Sequence, residues 1–342
     1  MVIVPISLLC YDLLKYIREV TVINIKVRSE SLSLQGLTAA QNRLSKDHLL
    51  FPTISSKKLS VEAGIAGEDK VADVLLRNSF SIDHRIFHDL SLTTSTLFQM
   101  DTLFLSPLFA LILEIKNISG ILEFKENPPQ LIRIRPDGTV DGFECPAAQV
   151  ERNVILFKEF LNQVGIDIPV IGVVVLAYPK QIVKVGPRRT KVLFPSLVPQ
   201  YINSLYHLPQ KIDVTTLDLL TSQLLESHQP YIPNPISEAY GIPISDFKSG
   251  VICQICGKIG MEKVFRSWCC PNCKNFDRFA HGQAIKEWFL LFRRKMSNKD
   301  CRDFLHINDI KSANRILQTM NLESHGKNRN RTYSMDFLAK MK

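Results

Sequence analysis

Two carboxylates and an amine stand inside two runs whose other residues read as buried β-strand. Leu97–Leu105 carries Asp101, and Phe109–Lys116 carries Glu114 and Lys116, in a D-x12-E-x-K spacing. Ser106-Pro107-Leu108 between them reads as a tight reversal, so the runs are expected to pair as a hairpin. Side chains alternate faces along a strand, which puts Glu114 and Lys116 on one face. Ionisable groups in an apolar hairpin are costly unless a metal or a substrate compensates them. The set suits hydrolysis of a phosphodiester. Asp101 and Glu114 offer carboxylate oxygens to Mg2+ or Mn2+, with waters, and optionally the Ile115 carbonyl, completing an octahedral shell. Lys116 would orient or deprotonate the attacking water, or neutralise the phosphate; as a base it needs a lowered pKa. Glu68, on a preceding helix, is placed to reach the same cluster. Each residue alone has a plainer reading: a solvated Asp, a strand-end ion pair, a first-turn Glu favoured by the helix dipole. The joint pattern carries the inference.

A second constellation lies in Cys253-x2-Cys256 followed by Cys269, Cys270 and Cys273. With Cys270 the spacing is C-x2-C-x13-C-x2-C, two knuckles suited to four thiolates around a structural Zn2+. Cys269 is the alternative third ligand and His281 a weaker substitute, whereas Cys10, Cys145 and Cys301 lack partner spacing.

Helical and strand patterns must position these groups. A helix follows Gly64-Ile65-Ala66-Gly67-Glu68, with Val71, Val74 and Leu75 on its apolar stripe; Glu68 falls on the same stripe. Strands are expected at Ile82–Phe87, in the hairpin, at Ile121–Phe124 and at Gln130–Arg135, with Pro136-Asp137-Gly138 as a turn. A helix opens at Pro146, with Val150, Val154, Phe157 and Leu161 on one face, and leads to a buried strand at Pro169–Tyr178. That order predicts an α/β core with a mixed central sheet flanked by helices. A helix is expected at Val214–Glu226, near a cap at Asp213 or Thr215.

Residues 1–60 read as an N-terminal extension, with a strand at Val20–Val27 and a helix at Leu37–Leu50. The core spans 61–227, and Pro230, Pro233, Pro235 and Pro243 mark a linker over 228–250. A zinc ribbon (251–281) and a basic helical module (282–342) complete the chain. In that module helices are predicted at Ala284–Met296, Lys299–Leu305 and Asp309–Met320, ahead of the basic run Gly326–Tyr333. Three helices and a basic hairpin suggest a winged helix-turn-helix, with Lys311 and Arg315 facing a groove and Lys327, Arg329 and Arg331 meeting phosphates. The plainer reading is a helical cap with a solvated tail.

Gly64-x2-Gly67-Glu68, Gln99-Met100-Asp101, Glu114-Ile115-Lys116-Asn117 with Gly120, and Pro146-x2-Gln149 resemble the nuclease-related domain (NERD) family of the PD-(D/E)xK nuclease superfamily. The resemblance covers roughly residues 60–180. It implies a restriction-endonuclease-like core and a Mg2+-dependent nuclease site at Asp101, Glu114 and Lys116, with Glu68 and Gln149 as accessory site residues.

Of 342 residues, 45% are apolar and 22% charged, a globular composition that excludes wholesale disorder. No stretch nears the roughly 18–20 apolar residues of a membrane span. The apolar start Met1–Ile17 is broken by Pro5, Asp12 and Lys15 and lacks a basic leader, so a signal peptide is not expected and a cytoplasmic setting is. From Lys274 onward 15 Lys and Arg face 7 Asp and Glu, a net of +8 out of the whole-chain +9. So localised a field favours polyanions, nucleic acid first among them. The expected function is therefore a cytoplasmic, metal-dependent DNA nuclease with C-terminal zinc and nucleic-acid-binding modules. The alternative is a non-catalytic nucleic-acid-binding protein that keeps a nuclease-like fold.

Overall fold

The computed structural model describes residues 24–337. The Met1–Ile17 run, the start of the strand predicted at Val20–Val27, and Lys340 and Lys342 lie outside the described residues. The described chain opens with strand β1 (Asn24–Lys26) and helices α1 (Leu32–Arg43) and α2 (Phe51–Arg77). Strands β2 (Arg85–Thr93), β3 (Leu97–Leu105), β4 (Ala110–Lys116), β5 (Ile121–Glu126), β6 (Pro129–Ile134) and β7 (Val140–Glu144) lead to helix α3 (Pro146–Gln163). Then come β8 (Val170–Leu176), β9 (Ile182–Val185), β10 (Lys191–Leu193), α4 (Val198–Ser204) and α5 (Val214–Glu226). After α6 (Ile236–Tyr240) four short strands follow: β11 (Val251–Ile252), β12 (Ile259–Val264), β13 (Ser267–Cys269) and β14 (Phe276–Asp277). The chain closes with α7 (Ala280–Leu291), β15 (Met296–Ser297), α8 (Asn298–Leu305), α9 (Ile310–Thr319), β16 (Leu322–His325) and β17 (Thr332–Met335).

The described residues form two compact units, one of Gly64–Pro230 with the chain up to Arg28, the other of Ser29–Ala63 with the chain from Tyr231. In the first, a six-stranded mixed sheet runs β1-β2-β3-β4-β8-β10, and a smaller sheet runs β7-β6-β5-β9. The hairpin forms as expected: β3 and β4 pair antiparallel from Thr102↔Leu113 to Leu105↔Ala110, closed by Ser106 and Phe109. β4 then pairs parallel with β8, Glu114 opposite Val174, as the right-handed crossover through α3 permits. Alternation splits the apolar side chains between two cores. Leu103, Leu105, Ala110 and Ile112 pack with Val150 and Phe157 of α3 and with Leu217, Leu220 and Leu224 of α5. Phe104, Leu111, Leu113 and Ile115 pack with Val71 and Leu75 of α2 and with Val198 and Ile202 of α4. A mixed sheet between helical layers is the α/β core read from the sequence. Asp213 caps α5, its carboxylate accepting from the Thr216 N–H at 2.7 Å.

Three local boundaries differ from expectation. The helix predicted at Leu37–Leu50 is α1, which starts earlier because the Ser31 hydroxyl accepts from the Leu34 N–H, and which stops at Leu44 in extended backbone. The helix expected after Gly64 already begins at Phe51 and runs through both glycines, whose cost of about 1 kcal/mol each is outweighed by the helix formers around them. The first core strand lies at Arg85–Thr93 rather than Ile82–Phe87, because pairing with β3 extends it from Arg85↔Leu105 to Thr93↔Leu97.

The second unit corrects the place of residues 29–60. They do not stand apart as an extension. Leu37, Ala40, Leu44 and Ile54 share one core with Trp268, Ile285, Phe289 and Phe292. Arg43, with no exposed surface, donates to Glu287 Oε2 from Nε and Nη2 and to the Lys248 and Gly250 carbonyls from Nη1. The expected linker is likewise packed: it holds α6, and Ile236, Ile242 and Phe247 enter that same core, since prolines end elements without removing apolar side chains from the interior. Cysteine-bearing β11–β14 form a four-stranded sheet. Helices α7, α8 and α9 are accompanied by a small sheet ordered β15-β17-β16, the three helices and hairpin read from the sequence. The helix predicted at Ala284–Met296 is α7, four residues earlier, and Met296 instead pairs with Tyr333 in the small sheet.

Candidate active site and cysteine cluster

Glu114 and Lys116 point to the α3 side of the central sheet, because they share the parity of Ala110 and Ile112, and Asp101 joins them through its bond to the Ile115 N–H. The β3–β4 pairing ends at Thr102↔Leu113, and beyond it the Asp101 side chain reaches the β4 backbone beside Glu114. In β2–β3 the pairing is interrupted between His88↔Thr102 and Leu90↔Met100, where Asp89 takes a φ of +55°, and this irregularity brings Asp89 near Asp101. Asp89, Asp101 and Glu114 therefore gather where these strands part, a clustering of acids that is repulsive unless compensated.

The compensation present is partial. Asp101 Oδ2 accepts from the Ile115 N–H at 2.7 Å. Lys116 Nζ lies 2.7 Å from Glu114 Oε1 and donates to Gln149 Oε1 at 3.1 Å, so α3 anchors the lysine through Gln149. Glu114 is fully buried, and its second oxygen, Oε2, has no hydrogen-bond partner. Glu68 arrives from α2, on the opposite layer. Gly67 allows that approach: a Cβ there would sit 2.9 Å from Asn117 Cβ and 3.1 Å from Ala177 Cβ, at the carboxyl ends of β4 and β8. Arg28, just past β1, pairs with Glu68 at 2.9 Å and with Asp69.

Electrostatics follow from this crowding. Burial, and then Asp101, push Glu114 up to about 8. Burial, and then Asp101, also push Glu68 up to about 8, with Arg28 opposing. Burial raises Asp101 itself against the pull of Lys116. For Lys116 burial favours the neutral amine, but Glu114 and Asp101 outweigh it and hold the group above the usual lysine range. The lowered pKa that a lysine base needs is therefore not provided by these neighbours; the charged roles suit it better.

Sequence reasoning missed Asp89, Arg28 and Lys26. Lys26 Nζ donates to the His88 and Asp89 carbonyls, and the Gln99 side chain donates to Asp89 Oδ1. Only the Gln99-Met100-Asp101 motif hinted at this neighbourhood; the β1–β2 pairing that delivers Arg28 joins residues about sixty apart.

In the second unit the cysteine ambiguity resolves geometrically. The sulfurs of Cys253, Cys256, Cys270 and Cys273 all lie within 4.8 Å of one another. Cys253–Cys273 and Cys256–Cys270 are 3.6 Å apart, close to the roughly 3.8 Å edge of a tetrahedron with 2.3 Å Zn–S bonds. Cys269 lies on β13 opposite Glu262 and Phe276, and His281 accepts from the Trp268 indole; neither joins the cluster. Among the described residues this is the one gathering of three or more His, Cys, Asp or Glu side chains tight enough to enclose a metal; Asp101, Glu114 and Glu68 do not form one.

On α9, Lys311 and Arg315 are exposed on the face opposite the buried Ala313, Ile316 and Leu317. Lys327 and Arg331 are exposed in the β16–β17 loop, and the side chain of Arg329 lies outside the described ones. No described helix is long and apolar enough to cross a membrane.

Residues 63–177 match the family model of the nuclease-related domain. No curated protein and no solved structure matches the chain. The matched span, a third of the chain, holds Glu68, Asp101, Glu114, Lys116 and Gln149 and closes with β8.

Proposed function

We propose that the chain is a metal-dependent nuclease hydrolysing phosphodiester bonds in DNA, and that its C-terminal unit holds structural Zn2+ and binds nucleic acid. The observation that carries this reading is the gathering of Asp101, Glu114 and Lys116 at the end of β4, within the segment that matches the nuclease-related domain.

A divalent cation fits these residues. Glu114 Oε2 is a buried acceptor without a donor, and carboxyls forced up in pKa by burial, with Asp101 adding to the shift of Glu114, are those a cation would relieve. Asp101 and Glu114 would hold Mg2+ or Mn2+, which binds through one or two carboxylates and keeps several waters. Bound there, the ion would supply charge to the phosphoryl oxygens and lower the pKa of a water. Lys116 keeps its proton on Nζ and presents a positive charge, held in place by Glu114 Oε1 and Gln149 Oε1. That charge would orient a phosphate oxygen and offset the charge built up in displacement. Glu68, tethered by Arg28, would orient a water at the rim. Four thiolates leave Zn2+ no open position, so the cysteine site braces the fold. Lys311, Arg315, Lys327, Arg329 and Arg331 would contact phosphates. Free cysteines paired as metal knuckles rather than disulfides support the cytoplasmic setting.

The test is cleavage of end-labelled single- and double-stranded DNA with added Mg2+ or Mn2+, comparing the parent with Glu114→Ala. Metal-dependent cutting that vanishes in the variant is expected. Tight binding with no cutting on either substrate would instead establish the non-catalytic reading.

A further inference from the structure

All 19 phenylalanines of the chain lie among the described residues, and 16 of them are buried or half-buried. The three exceptions are Phe265, Phe276 and Phe279, 85%, 65% and 71% exposed, and all sit within fifteen residues on the cysteine module. Isolated exposed apolar groups need no explanation, but every exposed phenylalanine gathering on one small module does.

Their placement follows from the register of β12–β14. Lys263, Trp268 and Asp277 share one face, and Trp268 on it is fully buried in the core of the second unit. Val264 and Phe276 have the opposite parity and face outward. Phe265 and Arg266 fill the two-residue tip between β12 and β13. Arg266 has a φ of +55°, where a turn favours Gly or Asn. Phe279 follows Phe276 by three residues, across a turn in which its N–H donates to Asp277 Oδ1.

Cations accompany the rings. The Arg266 guanidinium lies 5.0 Å from the Phe265 ring centroid, and that of Arg278 lies 5.5 Å from Phe279. Lys274, at φ +59°, is exposed between them in sequence. Over residues 251–281 five Lys and Arg face two Asp and Glu.

Flat apolar rings set among guanidinium groups suit unpaired bases, which stack on the rings while the cations meet the phosphates. A duplex hides its base faces and gains nothing from the rings. An apolar protein partner would need neither Arg266 nor Arg278. We propose that Phe265, Phe276 and Phe279, with Arg266, Lys274 and Arg278, form a stacking platform for single-stranded nucleic acid. The platform deepens the nucleic-acid-binding reading of the C-terminal unit, on which it rests; it does not rest on the carboxylate site.

The experiment measures binding of a labelled oligonucleotide as a single strand, as a duplex, and as a single strand with abasic sites. It uses full-length Glu114→Gln with no added divalent metal, in parent form and with Phe265→Ala, Phe276→Ala and Phe279→Ala combined. The exposed rings hold no core, so the triple variant is expected to keep its zinc content and circular dichroism. Removal of a stacked ring weakens binding by roughly five- to a hundredfold per base. The triple variant should therefore lose at least tenfold on the single strand and less than threefold on the duplex. Abasic sites should weaken the parent and leave the variant nearly unchanged. Equal single-strand affinity in parent and variant, or equal loss on both strand forms, would overturn the platform while leaving nucleic-acid binding standing. A parent that binds neither form would overturn both. Phenylalanine changes that convert a dimer to a monomer with oligonucleotide affinity unchanged would make the face a contact between copies of this chain, and would overturn the proposal too.

Discussion

The two candidate metal sites are opposites in construction. The carboxylate site of the first unit is assembled by long-range pairing on a sheet whose cores are already complete on both sides. Its acids are crowded and partly unpaired, so the fold tolerates the site rather than depending on it. The cysteine cluster of the second unit is drawn from two tight turns about twenty residues apart, and its buried members Cys253 and Cys270 border the core of that unit. There the sulfurs are the centre around which short strands gather. A functional metal site rides on a stable scaffold and stores electrostatic strain, whereas a structural one ties short strands and turns that pair too little to hold themselves.

The largest effect should come from Cys270→Ser. Metal content is expected to fall from one zinc per chain to near zero, with loss of cooperative melting in the second unit, because structural zinc contributes about 10–16 kcal/mol to small modules. Cys269→Ser should retain the metal, and equal loss in both would break the assignment of Cys270.

Next is the buried pair Arg43–Glu287. Arg43→Ala should cost about 3–5 kcal/mol in denaturant titrations by leaving Glu287 uncompensated. Replacing both by apolar residues of similar size should cost far less. An Arg43→Ala variant as stable as its parent would show that residues 29–63 contribute little to this unit.

Smaller still is the effect at Gly67. Gly67→Ala should overpack α2 against Asn117 and Ala177, costing about 1–3 kcal/mol against a helix-propensity gain of about 1 kcal/mol. Nuclease activity should fall more than stability does, since Glu68 is displaced. Gly64→Ala meets nothing within 4 Å and should stabilise by up to about 1 kcal/mol, as read by thermal melting.

The last is a pH signature of the carboxylate site, read as a difference between metal-free and metal-loaded melting. Glu68 and Glu114 have folded pKa values raised from 4.5 to about 8. Their proton-linked stabilisation is complete below the unfolded value and is lost as pH rises through the folded one. Without added Mg2+ the first unit should therefore lose stability between pH 4.5 and 8. Added Mn2+ or Mg2+ should raise its melting temperature more at pH 8.5 than at pH 6, and Glu114→Gln should flatten the difference. A metal increment independent of pH would remove the carboxylates from the metal site.

The amino-acid sequence by itself determined whatever short-range chemistry specifies. The apolar runs and the Ser106-Pro107-Leu108 reversal are enough for the hairpin, and with it the Asp101, Glu114 and Lys116 spacing. Asp213 is enough for the start of α5, and two C-x2-C knuckles for a thiolate cluster. Tertiary structure alone decided what depends on residues far apart in the chain. It chose Cys270 over Cys269, because strand pairing turns adjacent side chains to opposite faces. It brought Arg28 and Asp89 beside the acids through β1–β2–β3 pairing, and it turned Gly67 from a helix start into a point of close approach. It also set residues 29–63 into the C-terminal core, since an apolar helix face carries no mark of the surface that will cover it.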